Sequence, residues 1–163
     1  MATTVASPAK DYIVTPTPYP AHTKTRSSSI KGLQTTATCI NFADKIFITV
    51  TQEGRLAHWV HVPLDIAATD ASMASNAHLD CEDDDDPVSD LLPMHHLTAT
   101  TILGGTVPEL EILGQTLATQ IASAIKTRGE RETRLVVLGL GLDKSMASRE
   151  EFSELVGLAL QAI

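Results

Sequence analysis

Aromatic residues make up only 4% of this 163-residue chain, which holds one Trp, two Tyr and three Phe. Any core must therefore come from Leu, Ile, Val and Ala, and a hydrophobic fraction of 43% is enough to build one. Cysteine is almost missing. Cys39 and Cys81 are too few and too weakly patterned for a disulfide framework, so the expected setting is cytoplasmic or nuclear. Positive charge is scarce as well: 12 Lys and Arg against 20 Asp and Glu give a net charge of -8. That balance excludes nucleic-acid binding through clustered cations and disfavours anionic membrane surfaces. Apolar runs such as "LVVLGLGL" fall well short of the roughly 20 residues a membrane-crossing helix needs. No basic region followed by an apolar stretch stands at the amino terminus, and no signal peptide is expected.

What is present suits one domain, since a chain near this size buries about two-thirds of the surface its unfolded form exposes. Residues 1–21 mix Thr, Pro and Ala without periodicity, and Pro16, Pro18 and Pro20 remove backbone donors and favour extended chain. A disordered tail is expected there. A second irregular stretch, about 63–93, centres on "CEDDDDPVSD", whose like charges repel and cannot enter a core. It lacks the alternating ligands and turn glycine of a calcium loop, which leaves a solvated acidic insertion.

The rest, residues 22–163, divides into strands and two helices. Ser, Thr and β-branched residues on either side of Lys31-Gly32 predict a hairpin. The stretches 45–52 and 55–62 flank Glu53-Gly54 and predict a second, for a four-strand meander. "HLTATTILG" and "RLVVLGLGL" read as fifth and sixth strands. Between them, Thr106-x-x-Glu109 with Pro108 in the first turn opens a helix whose stripe is Leu110, Leu113, Leu117, Ile121 and Ile125, ending at Gly129. Ser148-x-x-Glu151 opens another, with Phe152, Leu155, Val156, Ala159, Leu160 and Ile163 on one face. The fold expected is α+β, an antiparallel six-stranded sheet with two helices packed on one face.

Candidate chemistry is thin. In "LGLGLDKSM" the residue before Lys144 is Asp143, where a phosphate loop needs Gly, and Leu138 stands where its first Gly belongs. The dinucleotide fingerprint fails because Lys144 replaces its third Gly and only one helix follows. Gly139 and Gly141 read instead as places of close packing on the strand, with Asp143 and Ser145 accepting backbone amides at the turn after it. His58 and His61 are three apart in a predicted strand and face opposite sides; His95-His96 lacks companion ligands. No catalytic, cofactor or metal residue is named.

Two helices cover one face of a sheet. The other would present apolar side chains to water, which predicts dimerisation through the sheet. Phe47, Trp59, Val136, Leu138 and Leu140 are the expected pairing residues.

The stretches "KIFITVTQEGRLAHWVHV", "TILGGTVPELEILGQTLATQIAS" and above all "RLVVLGLGLDKSMASREEFSELVGLAL" resemble the proteasome assembly chaperone 3 family over most of residues 22–163. The long tail and the 63–93 insertion depart from the compact family pattern. The resemblance implies a non-enzymatic protein without cofactors that pairs with proteasome assembly chaperone 4. The pair would hold the fifth α-type subunit during 20S α-ring assembly and leave before or as β subunits arrive. It also marks Asp143, Lys144, Ser145 and Met146 as a signature turn, for fold maintenance or partner contact. Roadblock- and longin-like dimeric scaffolds of signalling or trafficking share this architecture and are the alternative.

Overall fold

Lys31 and Gly32 adopt φ of 51° and 79°, the pair of left-handed residues that a two-residue hairpin turn requires. They join β1 (His22–Ile30) to β2 (Leu33–Asn41) in antiparallel register from His22 opposite Asn41 to Ile30 opposite Leu33. The structure, a computed structural model, describes residues 21–65, 94 and 96–163. The expected tail up to residue 20, residues 66–93 of the acidic insertion, Cys81 and His95 lie outside the described residues.

From β2 the chain returns antiparallel as β3 (Lys45–Gln52), and Glu53 and Gly54, at φ of 54° and 71°, reverse it again. The expected second hairpin does not form. β4 (His58–Pro63) lies one strand further out, because β6 (Leu135–Gly141) enters between them, parallel to β3 and antiparallel to β4. With β5 (Thr100–Leu103) on the far edge, the order is β1-β2-β3-β6-β4-β5, and the sheet is mixed and not purely antiparallel. Residues 55–57 carry the chain across the end of β6, where the Arg55 carbonyl lies directly over Gly141, in the space a Cβ there would need. Ala57 N donates to Leu140 O at 2.9 Å, fixing the crossing. A local turn sets the direction of the next strand; it does not choose that strand's neighbour.

Two helices lie side by side on one face. α1 (Pro108–Arg128) packs on β4 and β6, and α2 (Arg149–Ala162) on β1 and β2. The α1 stripe buries Leu113, Leu117, Ile121 and Ile125, with Leu110 partly covered. α2 is rotated from the expected face: Leu155, Leu158, Ala159 and Ala162 are buried, while Phe152, Val156 and Ile163 sit at the margin. Both helices start within a residue of the expected place, at Val107 and Ser148, but neither makes a side-chain cap. Glu151 instead pairs with Lys31 of the hairpin turn at 3.0 Å. Beneath the helices lie Ala37, Cys39, Ile46, Ile48, Val50, Val60, Val62, Val136, Leu138 and Leu140, all at 3% exposure or less. The ends of the insertion are also tied down. Leu64 and Leu97 are in the core, and Met94 N donates to Ser123 Oγ of α1 at 2.8 Å.

At the other end of α1, Lys126 Nζ donates to Glu132 O at 2.7 Å and Arg134 Nη1 to Phe42 O at 2.9 Å. Arg134 Nε and Nη2 grip the Glu132 carboxylate at 2.9 and 2.7 Å, which holds its pKa down at about 2 from 4.5. A carboxylate with a depressed folded pKa stabilises the fold above its unfolded pKa and loses that contribution as pH falls toward the folded value.

Two outcomes follow from this geometry. Gly141→Ala forces backbone apart from backbone and is expected to cost about 2–4 kcal/mol in urea unfolding, whereas Gly157→Ala, inside α2 with nothing within 4 Å, should gain about 0.5–1 kcal/mol. Wild type should lose stability between pH 4.5 and about 2 relative to Glu132→Gln, while at neutral pH the variant is weaker by about 1–2 kcal/mol after solvent screening; parallel pH profiles would refute the Arg134 grip.

Candidate functional site

Strand alternation and register lay out the face opposite the helices in rows. One row runs Thr23, Ile40, Phe47, Val137, His61 and Thr100 from β1 to β5. The next runs Thr25, Thr38, Thr49, Gly139, Trp59 and Leu103. Lys45, Leu135 and Pro63 form a shorter row beside the first. The face is thus divided. Its β1–β2 half is paved with hydroxyls that satisfy one another, as Thr25 Oγ1 with Thr38 Oγ1 at 3.1 Å and Ser27 Oγ with Thr36 Oγ1 at 2.9 Å. The half over β3, β6 and β4 mixes apolar side chains, Phe47, Leu135, Val137, Trp59 and Pro63, with Lys45, Thr49 and His61, and Ile40 stands at its border.

Phe47 and Trp59 stand on strands that do not touch. Gly139 of β6 lies between them, and its missing side chain lets the indole lie down: a Cβ there would meet Trp59 Cζ3 at 2.7 Å. The indole reaches Phe47 across that gap, with ring centroids 5.4 Å apart and planes tilted by 38°. A bulge at Trp59 leaves Ile102 as the extra residue of β5, and Ile102 and Leu103 are 55% and 64% exposed. Ile40, Phe47, Trp59 and Val137 are each half-buried, on the side of the sheet opposite the two helices.

Of the expected pairing residues, Phe47 and Trp59 are on this face. Val136, Leu138 and Leu140 are not. They point into the core at 0%, 0% and 3% exposure because α1 packs over them. Their alternation partners Leu135 and Val137 hold the free side of β6, together with Gly139 and Gly141. Sequence reasoning missed Ile40, Leu135 and Val137. For Leu135 and Val137 the signal that could have found them is the glycine pair on their own strand, since a set of alternate residues containing two glycines fills a core under helices poorly.

The Asp143–Met146 turn stands apart from this face. Asp143 caps a 3-10 turn at Lys144–Met146 by accepting from Ser145 N at 3.0 Å, and that amide holds its carboxyl below the usual range. Its own amide donates to Gln52 Oε1 at 2.7 Å, and Gln52 Nε2 donates to Thr35 Oγ1 at 3.0 Å. Lys31 Nζ donates to Ser145 O at 3.1 Å. Met146 is fully buried, while Asp143, Lys144 and Ser145 are exposed. The turn therefore ties the hairpin and β3 to the start of α2.

His58 and His61 do face opposite ways. His58 is in the core with Nε2 3.2 Å from Thr101 Oγ1, and bare Gly114 of α1 makes room for its ring. Burial pushes its pKa down, with Glu111 partly offsetting. No cluster of three or more His, Cys, Asp or Glu among the described residues could hold a metal. In a groove of about 430 Å³ at the sheet end, Gln52 is committed to Asp143 and Thr35, and Arg55 to Glu53 at 2.6 Å.

The family model described as Proteasome assembly chaperone 3 matches residues 48–160, more than half of the sequence. The chain belongs to the proteasome assembly chaperone 3 family. This family member therefore falls among assembly chaperones, proteins that act by binding and not by catalysis. Its fold is similar to a chain in the crystal structure of a chaperone complex for yeast 20S proteasome assembly, with a TM-score of 0.52 at 10% identity, over 86% of this chain and 98% of that one. No curated protein matches the sequence. The matched span holds β4, β5, β6, α1, all but the last two residues of α2, Trp59 and the Asp143 turn; Phe47 lies one residue outside it.

If the turn is a structural tie, Met146→Ala should cost about 2–5 kcal/mol in denaturant unfolding and Asp143→Ala should destabilise the fold by clearly less. Both variants should keep whatever partner binding the wild type has, at concentrations where they are folded. A binding defect in folded Asp143→Ala would make the turn a contact site instead.

Proposed function

We propose that this chain pairs through its helix-free sheet face with a related subunit, proteasome assembly chaperone 4. The pair then holds an α-type subunit, the fifth, while the 20S α ring is assembled in cytoplasm and nucleus. It leaves before or as β subunits are added. The observation that carries the reading is the Phe47–Trp59 pair bridging Gly139 on the sheet face opposite the helices, in a chain of an assembly-chaperone family.

Pairing would exclude water from Ile40, Phe47, Val137, Leu135, Trp59 and Leu103, and aromatic side chains flanked by aliphatic ones are what interface centres use. Chaperoning follows from occupancy: a pair that binds one arrangement of α subunits raises its population by mass action and blocks the step that needs the same surface. Neither nucleotide nor metal is called for. Within the Asp143–Met146 turn, exposed Lys144 is the side chain free to touch the α subunit, and the other three serve the fold.

Trp59→Asp is expected to abolish co-purification with the partner chaperone while leaving the far-UV circular dichroism unchanged. Leu138→Asp, in the core, should unfold the protein instead. A folded Trp59→Asp chain that still pairs would sink the assignment of the face. A lysate pull-down should recover α-type proteasome subunits, whereas recovery of small-GTPase regulators in their place would support a roadblock- or longin-like scaffold.

A further inference from the structure

Among the described residues the most exposed large apolar side chain is on a helix and not on the sheet: Ile112 of α1 is 67% exposed. It precedes buried Leu113, and one residue turns about 100° around a helix, so Ile112 leaves the core stripe for the flank beside α2. There it shares a groove with half-buried Phe152. The groove, of about 230 Å³, is lined by Glu109, Ile112 and Leu113 from α1 and by Ala147, Arg149 and Phe152 from α2 and the residues before it. Leu113 and Leu155 anchor its two walls in the core.

The charges at this groove are unspent. Glu109 on one helix and Arg149 on the other are both exposed, and neither forms an ion pair among the described residues. Thr116 beside them is already satisfied, its hydroxyl donating to Ile112 O at 2.8 Å. An apolar slot between an unpaired carboxylate and an unpaired guanidinium is complementary to a segment that carries an apolar anchor, a basic side chain toward Glu109 and an acidic one toward Arg149. Its size excludes most small molecules, whose pockets run to about 300–1,000 Å³. The sides of two helices offer no row of free backbone groups to an added strand, whereas a partner helix brings its own backbone already satisfied.

We propose that the groove between the first turns of α1 and α2 seats an amphipathic helix of the α-type subunit, its anchor entering beside Ile112 and Phe152. That the helix belongs to the α-type subunit rests on the function proposed above. The groove lies on the helix side of the sheet and Phe47 and Trp59 on the other, so the partner chaperone and the α-type subunit fit at the same time. Cargo and partner then have separate surfaces.

The test uses the full-length chain paired with proteasome assembly chaperone 4 and titrated with the fifth α-type subunit in a calorimeter. Ile112→Asp should weaken capture of the subunit about tenfold or more while pairing and far-UV circular dichroism stay as in wild type, because the side chain is exposed and near a helix start, where an acid is tolerated. Glu109→Gln/Arg149→Gln should bind about two- to tenfold more weakly and lose most of the salt dependence that wild type shows, a change that a merely structural role would not produce. Capture by Ile112→Asp equal to wild type overturns the groove assignment alone. Failure of the wild-type pair to bind the subunit overturns the proposed function and the occupant together. Loss of the partner chaperone in Ile112→Asp would make the helix side the pairing surface, and loss of self-association in the isolated variant would put a second copy of the chain in the groove; either result overturns the proposal.

Discussion

The close approach of the Arg55 carbonyl to Gly141 is the constraint on which the architecture turns. A chain leaving β3 must cross the end of one strand to begin β4, and it can do so within three residues only if that strand ends without a side chain. With the crossing made, β6 enters the centre of the sheet and is buried under α1. Without it, β3 and β4 would pair as an ordinary hairpin and the sixth strand would be left for an edge, where its alternating leucines would have no second neighbour to pack beside.

The same insertion shapes the free face. It separates Phe47 from Trp59 by one strand spacing on each side, and Gly139 then lets the indole close the gap. Two glycines at alternate positions thus do different things: one admits backbone, the other a ring. The result is a small aromatic and aliphatic patch around Gly139 beside a hydroxyl-paved half whose hydrogen bonds are already made.

Local chemistry was legible in the sequence wherever the answer was local. Lys31-Gly32 closes its hairpin because both residues accept left-handed φ and the strands beside it have no competitor. Glu53-Gly54 has the same backbone geometry, yet its strands part, since a strand from more than 80 residues away pairs better with both. For β6 the alternation was correct and its orientation was not. Val136, Leu138 and Leu140 share a side, but apolar residues on both sides left their burial undecided until α1 was placed over them. The α2 stripe shifted for a similar reason: a helix rich in Leu and Ala offers overlapping faces, and the Lys31–Glu151 pair and the position of β1 choose one.

The signature turn and the apolar face sit on different load paths. Asp143, Gln52, Thr35 and Lys31 form a polar chain that joins the hairpin to the start of α2, and Met146 seals the core behind it. None of these contacts reaches Phe47 or Trp59. A sequence element can therefore mark a family by holding the fold in one arrangement, while the helix-free face is made of residues, such as Ile40 and Val137, that form no motif at all. In this protein the recognisable residues explain why the sheet stays assembled, and the inconspicuous ones set what its uncovered side can bind.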